Sequence, residues 1–215
     1  MIVKKFLHSC LLLEEKGKKL LIDPGAYSFI EKKLTPADIG PVDAVIITHS
    51  HPDHCFPEAL NYFAAEGAHI AADKDIAALL EKEGLKCEVF NAGEEKKIAG
   101  FTVKALEAPH ERIPAPAPHN FAFLINNKFL HPGDSLSFPM VSCEIYAMPI
   151  AGPWLTMVHS LDIAKKLKPK QVVPIHDAFI KDFVLELHYD KILKPNLEKE
   201  GISFQPLEIG EELKC

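Results

Sequence analysis

The chain has 215 residues, 47% of them hydrophobic and 25% charged, with a formal net charge of −6. That length is enough to bury a substantial core, and the acidic balance argues against a broad basic surface for nucleic acid. No apolar run approaches the ~20 residues that span a bilayer.

The opening stretch, Met1 to Glu15, carries lysines and an apolar run, but His8 and Ser9 interrupt the run and no small-residue cleavage site follows. It reads as two strands of a mature domain, and the expected compartment is the cytoplasm. Cys10, Cys55, Cys87, Cys143 and Cys215 form no CxxC pair and are odd in number, which suits reduced thiols better than a disulfide framework.

Short β-branched runs alternate with helix-period segments. Strands are predicted at Ile2–Leu7, Cys10–Glu14 and Leu20–Ile22, the last two joined by the Lys16-Gly17-Lys18 turn. Asp43–Thr48 is a nearly continuous apolar run, as expected of a strand covered on both faces. A helix should follow from Pro57 to Glu66, then a short strand at Ala68–Ala71 and an amphipathic helix over Asp73–Glu83. Further strands are predicted at Phe101–Glu107, Phe121–Asn126, Lys128–Leu130, Ile145–Pro149, Gln171–Ile175 and Ile202–Leu207, with helices at Thr156–Leu167 and Lys181–Leu193. The proline-rich stretch Pro109–Pro118 suits neither helix nor central strand and should be a stiff loop. No repeat and no Gly/Ser linker divides the chain, so residues 1–215 read as one domain of two packed sheets with helices outside.

The strongest chemical signal is His49-Ser50-His51-Pro52-Asp53-His54, directly after the Asp43–Thr48 strand. Three imidazoles and a carboxylate in six residues are ligands for zinc, manganese or iron. Without a metal, several ring nitrogens in so tight a string would lack partners. Asp134 follows a strand and a Pro-Gly turn, and His176 leaves the end of the Gln171–Ile175 strand. Taken alone, each reads as an ordinary turn carboxylate or strand-end histidine.

The HxHxDH string, followed by Gly133-Asp134-Ser135 and Pro174-Ile175-His176, resembles the metallo-β-lactamase superfamily. His8-Ser9-Cys10-Leu11-Leu12-Leu13-Glu14, Ile22-Asp23-Pro24 and the Pro149–Met157 segment are similar to the branch containing L-ascorbate 6-phosphate lactonase-like hydrolases and N-acyl-phosphatidylethanolamine phospholipase D. The matching pieces run from the first strand to about residue 180, most of the chain.

The resemblance implies a four-layer αββα sandwich and two divalent metal ions, zinc foremost, with manganese or iron as alternatives. One metal would take His49, His51 and His110; the other would take Asp53, His54 and His176, with Asp134 bridging both. His119 lies in the same loop as His110 and is the alternative third ligand. The implied activity is hydrolysis of an ester, lactone or phosphodiester of a small anionic substrate, with Asp53 ligating and orienting the attacking hydroxide. The alternatives are a nuclease of the same superfamily and a metal-containing binding protein without turnover. His8 is a candidate catalytic residue near the cleft, and Asp23 a brace for the metal loop.

Arg112, the only arginine, sits two residues after His110 and is a candidate anion grip. Trp154 and Phe138 are candidates for the pocket wall, His119 for substrate contact and His159 for a leaving-group acid. His69, His131 and His188 read as structural.

Overall fold

The fold is seen in a computed structural model that describes residues 1–30 and 34–215. The chain begins as an antiparallel meander of β1 (Ile2–Lys5), β2 (Leu11–Glu15) and β3 (Lys18–Ile22), with Lys16 and Gly17 both at positive φ in the tight turn. Helices then intervene and the pairing becomes parallel. β4 (Ala44–Ile46), β5 (His69–Ala72) and β6 (Glu88–Val89) extend the sheet through crossovers that contain α1 (Pro36–Ile39), α2 (Pro57–Ala65) and α3 (Lys74–Lys82).

The second half follows the same plan. β7 (Glu95–Ile98), β8 (Phe101–Glu107), β9 (Phe121–Ile125) and β10 (Phe129–His131) form a meander. β11 (Ile145–Pro149), β12 (Gln171–Ile175) and β13 (Ser203–Phe204) add in parallel, with α4 (Met157–Leu167), α5 (Asp182–His188) and α6 (Lys194–Glu198) in the crossovers. β14 (Glu212–Lys214) returns to pair with β1, so each sheet has seven strands.

The period-two geometry of strands sorts side chains into layers. On β2, Leu11 and Leu13 face the second sheet while Leu12 faces outward. On β4, Ala44 and Ile46 point inward and Val45 outward; on β9, Phe121, Phe123 and Ile125 point inward, Ala122 and Leu124 outward. Each outer face is covered by its own helices: Leu60, Phe63, Ile76 and Leu80 on the first sheet, Leu161, Ala164 and Leu197 on the second. The result is the αββα sandwich, and it explains why these strands are apolar at successive positions rather than alternating. Each buried Leu, Ile or Phe in these layers contributes about 1.5–3 kcal/mol relative to exposure.

Several elements differ from the sequence reading. β1 stops at Lys5 because the chain turns tightly, with Phe6 N–H donating to Cys10 O at 2.9 Å. β4 ends at Ile46 because the Thr48 N–H is captured by the Asp23 carboxylate at 2.8 Å instead of by a neighbouring strand. The helix expected over Lys181–Leu193 instead runs on to Glu198, as α5, a π turn at Tyr189–Leu193 and α6. Pro195 lacks an N–H and its ring would strike the carbonyl one turn back, so a wider turn precedes it. The short strands β6, β7 and β14 and the single-turn α1 carry too little pattern to be predicted.

β1, β3, β4, β8, β10, β11 and β12 all run toward the same end of the sandwich. The segments that leave their carboxyl ends therefore converge, as ligand sites in α/β sheets generally do. Across this end Phe121 N–H donates to Thr48 O at 3.0 Å, joining the two sheets. No helix among the described residues is long and apolar enough to cross a membrane.

Gly25 lies where a Cβ would fall 1.7 Å from the Asp53 carbonyl oxygen and 2.5 Å from the His54 nitrogen. Gly25→Ala should therefore push the loop after β4 out of place and destabilise the fold by about 1–3 kcal/mol or more, measured as a lowered urea midpoint. A wild-type midpoint would show that this close approach does not hold the loop.

Cys10, Cys55 and Cys143 are buried, and burial pushes the Cys143 and Cys87 thiols up to about 12. A chromogenic disulfide reagent should titrate Cys215 promptly in native protein and the remaining thiols only slowly or after unfolding; rapid reaction of all five cysteines would contradict the burial.

Candidate metal centre

Each site residue stands at a strand end whose local geometry aims it into one volume. His8 follows β1, Asp23 follows β3 and His176 follows β12, and all three adopt positive φ (64°, 49° and 62°). Such backbone is unfavourable for residues with a Cβ and is held only where the surroundings over-determine it. The loop after β4 supplies His49, His51, Asp53 and His54, the segment after β8 supplies His110, and the turn after β10 supplies Asp134.

These side chains fall into two groups whose ligand atoms lie within 4.8 Å of one another: His49, His51, His110 and Asp134 in one, and His8, Asp53, His54 and His176 in the other. Asp134 stands between them. Its Oδ1 is 3.1 Å from His54 Nε2, and its Oδ2 is 3.1 Å from His176 Nε2 and 3.5 Å from His110 Nε2.

The hydrogen bonds behind the rings decide what faces the middle. His54 Nδ1–H donates to Asp23 Oδ2 at 2.7 Å, His110 Nδ1–H to Glu111 O at 2.6 Å and His176 Nδ1–H to Ala151 O at 2.5 Å. The Thr48 hydroxyl donates to Asp23 Oδ2 at 2.6 Å and so accepts from His49 Nδ1–H at 3.0 Å. With each Nδ1–H so anchored, the Nε2 of all four rings presents a lone pair to the centre. His51 turns its Nδ1 inward, 3.1 Å from His49 Nε2 and 3.2 Å from His110 Nε2.

A cation fits this arrangement. His54 Nε2 and Asp134 Oδ1 are buried 3.1 Å apart, yet neither has a hydrogen-bond partner. Two acceptor atoms facing each other in this way need a positive charge between them, a metal ion or, in its place, a proton on His54. The electrostatics point the same way. Although burial disfavours its charge, Asp134 and Asp23 together raise His54 well above the ordinary histidine value. Burial likewise opposes the charges on Asp53 and Asp134, but Asp53 is lowered to about 2 by the His8 hydrogen bond and the His54 charge, and Asp134 is held well down by His54 and His176. His49 is driven well below the ordinary value by burial and by neighbouring histidines, which keeps its lone pair available.

His8 is placed differently from the other imidazoles. Its Nδ1 accepts from Ala178 N–H at 3.4 Å, so its Nε2–H donates to Asp53 Oδ2 at 3.1 Å. Despite its proximity it orients a carboxylate rather than offering a lone pair, and burial lowers it to about 4, so it is neutral at ordinary pH.

The structure brings His110, not His119, to the cluster. His119 turns away to Asp73, the N-cap of α3, at 2.9 Å. The residue expected to grip an anion, Arg112, is exposed and outside the wall of the cavity over the cluster, and His119 is likewise outside it. Trp154 does line that cavity, whereas Phe138 packs in the outer core against Tyr146. His159 is exposed on α4, away from the cavity wall.

Two supporting residues, Asn120 and Thr48, escaped the sequence reading. Asn120, fully buried, donates to Ala108 O and Pro132 O at 2.8 and 3.0 Å and accepts from Asp134 N–H at 3.2 Å, tying the His110 and Asp134 segments together. Thr48 couples Asp23 to His49. His131, expected to be structural, braces the turn beside Asp134, its Nδ1 accepting from Gly133 N–H at 3.2 Å. The only signal for Asn120 is an amide placed directly before an apolar strand.

Residues 3–176 match a family model described as a beta-lactamase superfamily domain. The protein Rv0786c of Mycobacterium tuberculosis is 31% identical, covering 87% of this chain and 89% of its own length. The UPF0173 metal-dependent hydrolase Ta0764 of Thermoplasma acidophilum is 28% identical over 79% of this chain and 80% of its own length. Among solved structures, Igni18, a metallo hydrolase of Ignicoccus hospitalis, superposes with a TM-score of 0.77 at 25% identity, covering 99% of this chain and 97% of its own. The convergent histidines and aspartates, the αββα layering and the extent of these matches together show that the chain belongs to the β-lactamase superfamily.

Proposed function

We propose that the chain is a metal-dependent hydrolase acting on a small ester, lactone or phosphodiester. The observation that carries this reading is the set of four imidazoles tied at Nδ1 and open at Nε2 around the Asp134 carboxylate. The relatives named as metal-dependent hydrolases support it.

His49, His51, His110 and Asp134 would hold one divalent ion, and Asp53, His54, His176 and Asp134 a second. Zinc suits this nitrogen-rich set, as do manganese and iron. Such a pair would supply Lewis acidity, lowering the pKa of water toward neutrality and polarising the carbonyl or phosphoryl oxygen on the atom under attack.

The chain's own residues do the rest. Asp53 lines the cavity with its carboxylate ionised and steadied by His8, so it can accept the proton of the attacking water. Asp23 and Thr48 hold His54 and His49 in one tautomer and one orientation. The cavity, about 350 Å³, admits a compact substrate rather than a duplex. The net charge of −6 also argues against nucleic acid as substrate, and the absence of disulfides among five cysteines supports a reducing compartment such as the cytoplasm.

Protein expressed with ample metal should carry close to two divalent ions by elemental analysis and hydrolyse at least one member of an ester, lactone and phosphodiester panel. Absence of bound metal would end the hydrolase reading. Metal without turnover on any member would favour the binding-protein alternative.

Asp134→Ala should lose one or both ions and abolish turnover. Asp23→Asn, which leaves every ligand in place, should weaken metal affinity by about 10–100-fold, as loss of a ligand-orienting partner does. Unchanged affinity in Asp23→Asn would show that the hydrogen bonds behind the rings do not tune the site.

A further inference from the structure

The cavity over the cluster has two unlike halves. Its floor is polar, made by His51, Asp53, His110, Asp134 and His176. Its walls are apolar: Ile113, Pro114 and Ala115 on one side, Pro153, Trp154 and Phe179 on the other. Among the described residues no lysine or arginine lines it.

The aromatic wall is held in place. The Trp154 ring stands edge-on to two rings of the floor, with centroids 6.1 Å from His110 and 5.3 Å from His176. It rests on Gly152, where a Cβ would come within 3.0 Å of the indole Cε2 and Nε1. Phe179 is 51% exposed, yet its ring packs against His176 at 5.4 Å, His8 at 5.2 Å and Tyr27 at 5.5 Å. Its exposed phenyl thus adds to the apolar wall that Trp154 and Pro153 present over the polar floor.

The opposite wall is stiffened by the prolines of the Pro109–Pro118 segment and pinned to the metal turn. Glu111 N–H donates to Asp134 O at 2.8 Å, and Leu136 N–H donates to Glu111 Oε1 at 2.9 Å. Little ordering therefore remains to be done on binding.

We propose that Trp154, Phe179 and Ile113 form a specificity clamp that selects substrates carrying a compact uncharged apolar group, a short alkyl or aryl chain, next to the scissile bond. This rests on the hydrolase reading and narrows it: the favoured substrate is a neutral ester or lactone with an apolar flank, not the anionic compound suggested by Arg112. A phosphate beyond the metals would meet the apolar wall with its charge unpaired. An alkyl or phenyl group there sheds its hydration against Trp154 and Ile113.

The test uses the metal-loaded full chain and two probe series. Alkyl hydroxamates from acetohydroxamate to hexanohydroxamate, with benzohydroxamate, share a metal-binding head and differ only in the apolar group. The corresponding primary alcohols, with benzyl alcohol, lack that head. Binding is read by calorimetry and by the fluorescence of Trp154, the chain's sole tryptophan.

Affinity should rise about three- to fourfold with each added methylene until the cavity is filled, the factor that about 0.8 kcal/mol of methylene burial represents. Trp154→Ala and Ile113→Ser should each flatten that rise, losing more affinity for hexanohydroxamate and benzohydroxamate than for acetohydroxamate. Flat affinities across the wild-type series would overturn the clamp, as would inorganic phosphate binding more tightly than benzohydroxamate. Equal loss for acetohydroxamate and benzohydroxamate in both variants would also overturn it. Failure of the hydrolase reading looks different: no metal is taken up, while the alcohol series keeps its chain-length dependence, so the apolar wall still binds although its role in substrate choice falls with that reading.

Discussion

The site is organised around one buried carboxylate. Asp23 is fully inaccessible and accepts three hydrogen bonds: from Thr48 N–H at 2.8 Å, from the Thr48 hydroxyl at 2.6 Å and from His54 Nδ1–H at 2.7 Å. The first of these takes the backbone of β4 out of the sheet and starts the loop that bears His49 to His54. The second and third set the tautomers of two imidazoles. Charge-assisted bonds of this kind are among the strong ones, and leaving a buried donor without its acceptor costs about 1–3 kcal/mol each. One side chain thus joins the end of a strand, the direction of a loop and the availability of two lone pairs.

Asn120 plays the corresponding part for the second sheet. Its amide spans Ala108, Pro132 and Asp134, so the two segments that carry His110 and Asp134 are fixed to each other and to the start of β9. Gly133 makes this possible: at φ +59° it takes a left-handed turn, and any Cβ there would lie 2.1 Å from Asn120 Oδ1. Contacts between the halves then close the site. His176 N–H donates to His8 O at 3.2 Å, and the buried Lys5 ammonium pairs with Asp177. Buried ion pairs add little net stability but tolerate no loss of a partner, which suits a joint between sheets.

The left-handed backbone at His8, Asp23 and His176 is the cost of this arrangement, about 1–3 kcal/mol for each such residue. It is offset by the apolar layers between and outside the sheets. Those layers are rigid, and the site inherits that rigidity: ligand loops leave strand ends that are buried on both faces. The same rigidity extends to the cavity, where a proline-rich segment and a tryptophan seated on glycine face each other across the floor of histidines and aspartates.

Much of this was legible in the residues themselves. HxHxDH after an apolar strand points to metal chemistry because three histidines and an aspartate in six residues supply a dense set of nitrogen and oxygen ligands. Continuous apolar runs such as Phe121–Ile125 announce strands covered on both sides. What sequence could not decide was partnership across distance. His110 and His119 have the same local signal, and only the capture of His119 by Asp73, 46 residues away, leaves His110 to the cluster. Arg112 lies two residues from that histidine yet is exposed and outside the cavity wall, a placement that closeness in sequence does not settle. The roles of Asn120, Thr48 and His131 arise from hydrogen bonds to segments far along the chain, and the repeated plan of the two sheets exists in their pairing, not in any repeated string. The amino-acid sequence by itself determined which chemistry the chain carries, since ligand type is a property of single side chains. The tertiary structure alone decided which ligands meet and what walls the space above them, since both depend on strand ends brought together by the packing of two sheets.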